Sequence, residues 1–169
     1  MLTFATELGV CGVAFNDVGL TDVLLPDSRS VRGTAVEAAA DVPDAVRAAI
    51  AGMTALLAGE RVDLRDVVLD ETALDPFRRA VFAATRAIGP GETASYGEIA
   101  RAVGQPGAAR AVGAALGSNP YPIVVPCHRV LAADGALTGF SAPGGTITKR
   151  RMLEIEGAPG FQQEALFAL

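Results

Sequence analysis

The only histidine of this 169-residue chain directly follows a cysteine, in the run Ile123-Val124-Val125-Pro126-Cys127-His128-Arg129-Val130. A thiol becomes a strong nucleophile only as the thiolate, and a nearby imidazole can take its proton, directly or through a water. Arg129 adds positive charge next to the pair. These three residues therefore indicate a nucleophilic cysteine with a histidine base.

The same residues have a second interpretation. The aliphatic run before Cys127 predicts a short buried strand, and adjacent residues on a strand point to opposite faces. Cys127 could then be core packing and His128 a polar edge, and the run itself does not decide between the two interpretations. The other cysteine, Cys11, lies in the apolar run 10–15 and is predicted to be a small buried core residue.

Composition and charge narrow the classes of protein. Residues 1–84 carry 7 basic and 13 acidic side chains and residues 85–157 carry 7 and 5, so a surface for nucleic acid belongs to the second half. The first residues lack a secretory signal, and the longest uncharged stretch, 111–128, contains three prolines. We therefore expect a cytoplasmic protein without a membrane span. The spacing of Cys and His and the lack of a glycine-rich nucleotide loop predict no metal and no cofactor.

Three helices are predicted in the second half. Asp75 followed by Pro76 is typical of a helix start. Ser95 with Glu98 three residues later predicts a capped helix over 96–103, and after a glycine-containing turn another helix follows over 108–117. Helix, turn and helix in this form suggest a helix-turn-helix unit that enters a DNA groove, although structural helix pairs show the same pattern more often.

The first half is predicted to begin with strands. Apolar runs at 10–15 and 20–25, separated by an Asn-Asp and Gly turn, predict a hairpin. Residues 43–58 predict a helix, with Asp41 as its cap and Gly59 as its end. One face of this helix is apolar at helical spacing and consists of Val46, Ile50, Met53 and Leu57.

Several motifs occur in a fixed order around Cys127. Asn119-Pro120-Tyr121-Pro122 precedes Pro126-Cys127-His128-Arg129, and both follow Thr93-Ala94-Ser95-Tyr96-Gly97-Glu98-Ile99-Ala100 and Gly107-Ala108-Ala109-Arg110-Ala111-Val112-Gly113. Leu153 and Glu156-Gly157 come last. In this order the motifs resemble those of the O6-alkylguanine-DNA alkyltransferases, over about half of the chain. The first half resembles that family's small β-rich domain only loosely.

The resemblance implies an α+β fold. A small β-rich N-terminal domain would be followed by a mostly helical C-terminal domain with a helix-turn-helix (winged-helix-like) DNA-binding unit. The boundaries would be 1–72 for the N-terminal α/β, ribonuclease-H-like domain and 73–169 for the alkyltransferase domain. The implied activity is single-turnover DNA repair, in which the alkyl group of O6-alkylguanine passes to Cys127. The product is a thioether without a leaving group, so the protein is consumed.

Carried over residue by residue, the family pattern assigns the chemistry. Cys127 would accept the alkyl group in one in-line step, with His128 as base through a bridging water and Glu156 orienting that histidine. Tyr96 would help rotate the target nucleotide out of the duplex and donate its hydroxyl to guanine N3. Asn119 would brace the turn beneath the cysteine. Without the resemblance, Glu156 would be interpreted as a surface helix residue.

The implied partner is double-stranded DNA that contains O6-alkylguanine, with the helix over 108–117 in the minor groove. Arg110 would occupy the space left by the flipped base, although by itself it could be a solvated helix residue. Further DNA contacts are expected from Tyr96, Ala109, Gly113 and Arg129. We expect the protein to act as a monomer, with no membrane partner.

The guanine pocket is expected to include Ser141, Phe140, Val130 and Pro122. Here the chain departs from the commoner family pattern, which is a tyrosine followed by a small residue and two glycines. Phe140 stands where tyrosine is frequent, and Ala142-Pro143 looks like an insertion. The shape of the pocket near O6 therefore depends on how this insertion folds.

Alternatives from other classes stay open at this point. A non-catalytic protein that binds alkylated DNA would have another residue in place of the cysteine, so Cys127 argues against it. A Cys-His hydrolase for small molecules would leave the helix-turn-helix unexplained, and an adjacent Cys-His pair would be unusual for it. A purely structural fold is a third alternative.

Overall fold

The structure of the chain, a computed structural model, describes residues 1–28 and 31–162. Its first part is a four-stranded sheet in the order β3-β2-β1-β4. The strands are β1 (Leu2–Thr6), β2 (Gly9–Phe15), β3 (Leu20–Leu24) and the short β4 (Thr34–Ala35). β1, β2 and β3 are antiparallel neighbours, whereas β4 is parallel to β1. The last seven residues of the predicted second domain, 163–169, lie outside the described residues.

The predicted hairpin is confirmed as β2 and β3. The Asn16 side chain fixes its turn, because Oδ1 accepts hydrogen bonds from the backbone N–H groups of Val18 and Gly19 at 2.8 and 3.1 Å. The strand β1 was not predicted, since Leu2–Thr6 is short and lacks a clear polar alternation. Its pairing with β2 supplies what its own sequence does not signal.

Helix α1 (Asp44–Leu57) packs against β1, and its four predicted apolar positions are buried. The prediction of Asp41 as its cap is wrong. Pro43 occupies the N-cap position without a side-chain hydrogen bond, and Asp41 adopts a positive φ of 55° in the preceding loop. Gly59 follows the helix at φ +92°, a conformation that favours glycine and ends the helix as predicted.

Helices α2 (Pro76–Arg86), α3 (Tyr96–Ala102) and α4 (Ala109–Gly117) pack on one another in the second part. Asp75 caps α2 by accepting from the Arg78 N–H at 2.9 Å. Ser95 and Glu98 form the predicted capping box of α3, which starts the helix directly after the two-residue strand β5 (Ala94–Ser95). These starts are local, so the sequence patterns located them correctly.

The predicted strand before Cys127 is wrong. Residues 122–125 form a turn in which Ile123 has φ 76°. Prolines at 120, 122 and 126 have no N–H to donate to a ladder, so the aliphatic side chains are buried without strand pairing. Cys127–Arg129 then forms one turn of 3-10 helix, followed by β6 (Val130–Leu131), which is parallel to β5, and by helix α5 (Gly145–Ile155).

One hydrophobic core runs through both parts of the chain, from the sheet and α1 to the active-site turn and α4. Hydrogen bonds also join the parts, because the Val23 N–H donates to Pro120 O at 2.8 Å and the Tyr121 hydroxyl donates to Asp70 O. The architecture is α+β, with the sheet first and the helices concentrated in the second part. None of the helices in the described ranges is long and apolar enough to cross a membrane.

Candidate active site

Cys127 lies at the wall of a cavity of about 170 Å³, and only 9% of the residue is exposed. Both parts of the chain line this cavity. The first part contributes β3 and the residues after it, and the second contributes the start of α3, the turn before Cys127 and the loop 139–143. The volume lies below the roughly 300 Å³ at which pockets for drug-sized ligands begin, so the cavity suits a small planar group.

His128 is completely buried next to Cys127 in the chain, and it pairs with Glu156 at the end of α5. The distance between His128 Nε2 and Glu156 Oε1 is 2.7 Å. Burial lowers the pKa of His128, although Glu156 favours the protonated form. The imidazole is therefore neutral near pH 7 and available to accept a proton. Its other nitrogen, Nδ1, has no hydrogen-bond partner within the described residues.

Glu156 is a buried carboxylate surrounded by donors. Burial by itself would raise its pKa, but His128 and Arg129 lower it to about 2. Arg129 donates from Nε to Oε2 at 2.9 Å and from Nη2 to Oε1 at 2.8 Å. The backbone N–H of Gly91 donates to Oε2 at 3.2 Å. The carboxylate is thus ionised and fixed in position on both of its oxygens.

The prediction that Arg129 contacts DNA is wrong. Its guanidinium is buried, and beyond Glu156 it donates from Nη1 to Ile88 O at 2.7 Å. All of these contacts point into the protein, so this charge is neutralised internally. The sequence suggested otherwise because Glu156 lies 27 residues away and only the fold brings the two together.

The electrostatic environment of Cys127 contains opposing influences. Burial raises the pKa of the thiol, whereas Asn119 and the positive charge of Lys149 lower it. The thiol is therefore protonated at rest, and thiolate must form by transfer of its proton to a base. His128 is the adjacent residue with that capacity.

Asn119 spans the turn that carries Cys127. Its Nδ2 donates to Val125 O at 2.9 Å, and its Oδ1 accepts from the Tyr121 N–H at the same distance. These two bonds satisfy backbone groups that the turn would otherwise leave unpaired. Asn119 has the contacts expected of a residue that braces the turn, and it also lines the cavity.

Lys149 is a functional candidate that the sequence analysis missed. The residue is completely buried, and its ammonium donates to Val130 O at 2.6 Å and to Thr138 O at 3.3 Å. The ammonium also lies 5.7 Å from the centre of the Tyr96 ring and 6.0 Å from that of Phe140. A signal was present, because Lys149 shares helical spacing with the buried Met152 and Leu153 of α5.

Tyr96 begins α3 at the edge of the cavity, half-buried. Its hydroxyl donates to Thr138 O at 3.3 Å. Burial raises the pKa of the phenol, so the hydroxyl keeps its proton near neutral pH and can donate it. The capping box of Ser95 and Glu98 fixes this start of α3, and thereby the position of the phenol.

Three of the four predicted pocket residues line the cavity: Pro122, Phe140 and Ser141. Val130 does not, because its side chain is fully buried in β6 and its carbonyl accepts from Lys149. The insertion Ala142-Pro143 forms part of the cavity wall. The Ser141 hydroxyl donates to Gly117 O at 2.7 Å, which ties this loop to the end of α4.

Helix α4 has one solvent-exposed face, formed by Arg110, Ala111, Ala114 and Gly117. Arg110 was predicted to be there, but the sequence analysis did not single out the other three. Ala109 and Gly113 are half-buried. A Cβ at Gly113 would lie 3.8 Å from the Tyr96 ring, so this glycine packs α4 against α3.

Comparison with known proteins shows similarity over most of the chain. Residues 76–158 match the family described as 6-O-methylguanine DNA methyltransferase, DNA binding domain. The methylated-DNA--protein-cysteine methyltransferase of Mycobacterium tuberculosis (strain ATCC 25618 / H37Rv) is 50% identical over 114 residues, which are 68% of this chain and 67% of that protein. The protein of the same name from Salmonella typhimurium is 50% identical over 92 residues, 54% of this chain and 53% of its own.

Solved structures extend the similarity to the first part of the chain. The crystal structure of Mycobacterium tuberculosis OGT in complex with DNA superposes with a TM-score of 0.75 at 40% identity, over 95% of both chains. The O6-methylguanine-DNA methyltransferase of Pyrococcus kodakaraensis strain KOD1 superposes with a TM-score of 0.69 at 26% identity, over 93% of this chain and 99% of its own.

Proposed function

Because the chain belongs to the 6-O-methylguanine DNA methyltransferase family, we propose that it repairs DNA by moving the alkyl group of O6-alkylguanine onto Cys127, once per molecule. The observation that carries this proposal is the position of Cys127 at the wall of a small cavity, next to a buried His128–Glu156 pair. A nucleophile, a neutral base and a carboxylate that orients the base occur together only there in the described residues.

The reaction follows from the positions of the donors. His128 takes the thiol proton, through a bridging water, and the thiolate sulfur attacks the alkyl carbon. A C–S bond forms, the C–O6 bond breaks, and its electron pair passes to the guanine. Tyr96 donates a proton to guanine N3 and regains one through solvent from the imidazolium. The sum is guanine and S-alkylcysteine, without an oxidant, a metal or a methyl donor.

Single turnover follows from the product. A thioether has no leaving group that water could displace, so neither His128 nor any other base regenerates the thiol. A Cys-His hydrolase would instead form a labile thioester. Each molecule is therefore a stoichiometric reagent, and the count of alkyl groups accepted per chain separates the two chemistries.

The substrate is proposed to be duplex DNA, approached from the minor groove by α4. The exposed face of this helix is small apart from Arg110, which allows close approach to a groove floor. Tyr96 and Arg110 would hold the target base out of the stack, in the cavity next to Cys127. We take a cytoplasmic monomer as the acting form, because one chain supplies every group in this scheme.

A titration tests the proposal. A duplex that contains one O6-methylguanine is mixed with increasing amounts of protein, and repaired guanine is quantified after the reaction ends. We expect one guanine restored per protein molecule and none with Cys127→Ala, which should still bind the duplex. Restoration of many guanines per chain would contradict single turnover. Binding without any restoration by the wild-type protein would favour the non-catalytic alternative.

A further inference from the structure

Arg129 forms a two-pronged contact that goes beyond what a buried charge needs. Its Nε and Nη2 reach separate oxygens of Glu156, in the parallel geometry that arginine alone among side chains offers a carboxylate. Its third nitrogen, Nη1, is held by Ile88 O just after α2. The carboxylate can therefore neither rotate nor shift away from His128.

This contact decides which nitrogen of His128 carries the proton. Arg129 and the Gly91 N–H can only donate, so they leave Glu156 as an acceptor on both oxygens. His128 Nε2, at 2.7 Å from Oε1, must then be the donor. A neutral imidazole with its hydrogen on Nε2 has a free lone pair on Nδ1, the nitrogen without a partner in the described residues. Nδ1 is thus the nitrogen that can accept a proton.

The charges around His128 also set whether it is neutral. Glu156 favours its protonation, whereas Arg129 on the same 3-10 turn and Lys149 on α5 disfavour it. The remaining titratable neighbour is the Cys127 thiol, which burial keeps protonated. With Arg129 present, the negative charge of Glu156 is already compensated. Without Arg129, that charge would act on His128 alone and would draw a proton onto it.

We propose that Arg129 is a positioning residue for alkyl transfer, which clamps Glu156 so that His128 stays neutral with Nδ1 free to accept the Cys127 proton. This inference rests on the proposed function for its catalytic meaning. Its statement about the state of His128 stands separately and can be measured without DNA.

The experiment uses Arg129→Gln in the full-length protein. Since the chain has one histidine, the imidazole nitrogens seen by ¹⁵N NMR belong to His128 without further assignment. In the wild type we expect the Nε2–H tautomer and no protonation near neutral pH. In Arg129→Gln we expect the pKa of His128 to rise by about one unit or more, with mixed tautomers. The acidic limb of the methyl-transfer rate should shift to higher pH by the same amount.

Arg86→Gln is the matched control. Arg86 is a half-buried arginine that lines the same cavity of about 390 Å³ as Arg129, but it donates to the carbonyls of Leu64, Arg65 and Val67. Its loss should lower the stability without moving the His128 titration. Arg129→Lys keeps the charge and loses the fork, so the pKa should stay closer to the wild type while the tautomers mix. It also serves if Arg129→Gln does not fold.

Two results separate the possible failures. If His128 keeps its tautomer and titration in Arg129→Gln or, should that variant not fold, in Arg129→Lys, the positioning role is wrong, even if transfer is slower. If the wild-type protein accepts no methyl group from DNA, the proposed function is wrong, and the NMR results then report only the electrostatics of a buried triad.

Discussion

At the scale of single residues, the site depends on charges that are buried and compensated. Lys149 and Arg129 both bring positive charge near Cys127, yet each is held by different partners. Neither role was predicted from the sequence. A lysine and an arginine in those positions look solvated until the fold supplies Val130 O on β6 and Glu156 after α5. Cys127, His128, Glu156, Tyr96 and Asn119 were named from motif order, and the structure brings them together.

Lys149→Gln should make the thiol less reactive. The ammonium lowers the pKa of Cys127, so its removal should raise that pKa by about one unit and reduce thiolate about tenfold at a given pH. The rate of Cys127 alkylation by iodoacetamide as a function of pH measures this directly. Arg150→Gln, an exposed neighbour on α5, is the control and should leave the rate unchanged. An unchanged rate in Lys149→Gln would show that the lysine acts on structure alone.

Glu156→Gln should destabilise the protein at neutral pH, because it leaves Arg129 buried without its counter-charge; such a loss costs about 3–5 kcal/mol. The effect should depend on pH. The pKa of Glu156 is lowered from 4.5 to about 2, so its stabilisation is present above about pH 4.5 and is lost as the pH falls towards 2.

Urea unfolding at several pH values checks this. The difference in unfolding free energy between the wild type and Glu156→Gln should shrink as the pH falls through that window. Glu154→Gln, two residues earlier on α5, should show no such trend. A difference that is constant with pH would mean that Glu156 is not held as an ionised carboxylate.

At the scale of elements, helix starts could be predicted and the active-site turn could not. The caps at Asp75 and Ser95 depend on residues three positions apart, so the pattern contains the whole interaction. The run before Cys127 has the composition of a strand. Its backbone is instead set by Pro120, Pro122 and Pro126 and by the brace from Asn119, which together hold Ile123 at positive φ.

The exposed face of α4 makes a second prediction at this scale. Ala114→Glu should weaken binding to duplex DNA at least tenfold, because it adds bulk and negative charge where the helix is proposed to enter the groove. The unfolding free energy should change by no more than about 0.5 kcal/mol, as for other exposed positions. Fluorescence anisotropy with a labelled duplex gives the affinity. Ala83→Glu on the exposed face of α2 is the control, and equal effects from both variants would argue against α4 as the contact.

At the scale of the whole molecule, the two parts share one core and the cavity between them. β3 lines the cavity and its Val23 N–H binds Pro120 O in the turn that carries Asn119 and Tyr121. The division at residues 72 and 73 and the ribonuclease-H-like character of the first part stay predictions. The sequence showed the hairpin and α1 but not their contact with the site, because that contact joins residues about a hundred positions apart.

The uneven charge leads to a prediction about DNA binding. The chain has a net charge of −5, yet residues 85–157 have 7 basic and 5 acidic side chains. If this part contacts phosphates, affinity should fall as salt rises, with a slope set by the few phosphates neutralised. Measuring the dissociation constant across NaCl concentrations gives that slope. Affinity that does not depend on salt would contradict phosphate contacts from this part.

The central claim is that the alkyl group ends on one sulfur atom. The protein is incubated with a duplex that contains O6-methylguanine, digested, and its peptides are weighed by mass spectrometry. We expect one added methyl group on the peptide with Cys127, and an unmodified peptide with Cys11, whose thiol is buried with a pKa raised to about 11. A methyl group on any other residue, or repaired DNA with an unmodified Cys127, would contradict the account.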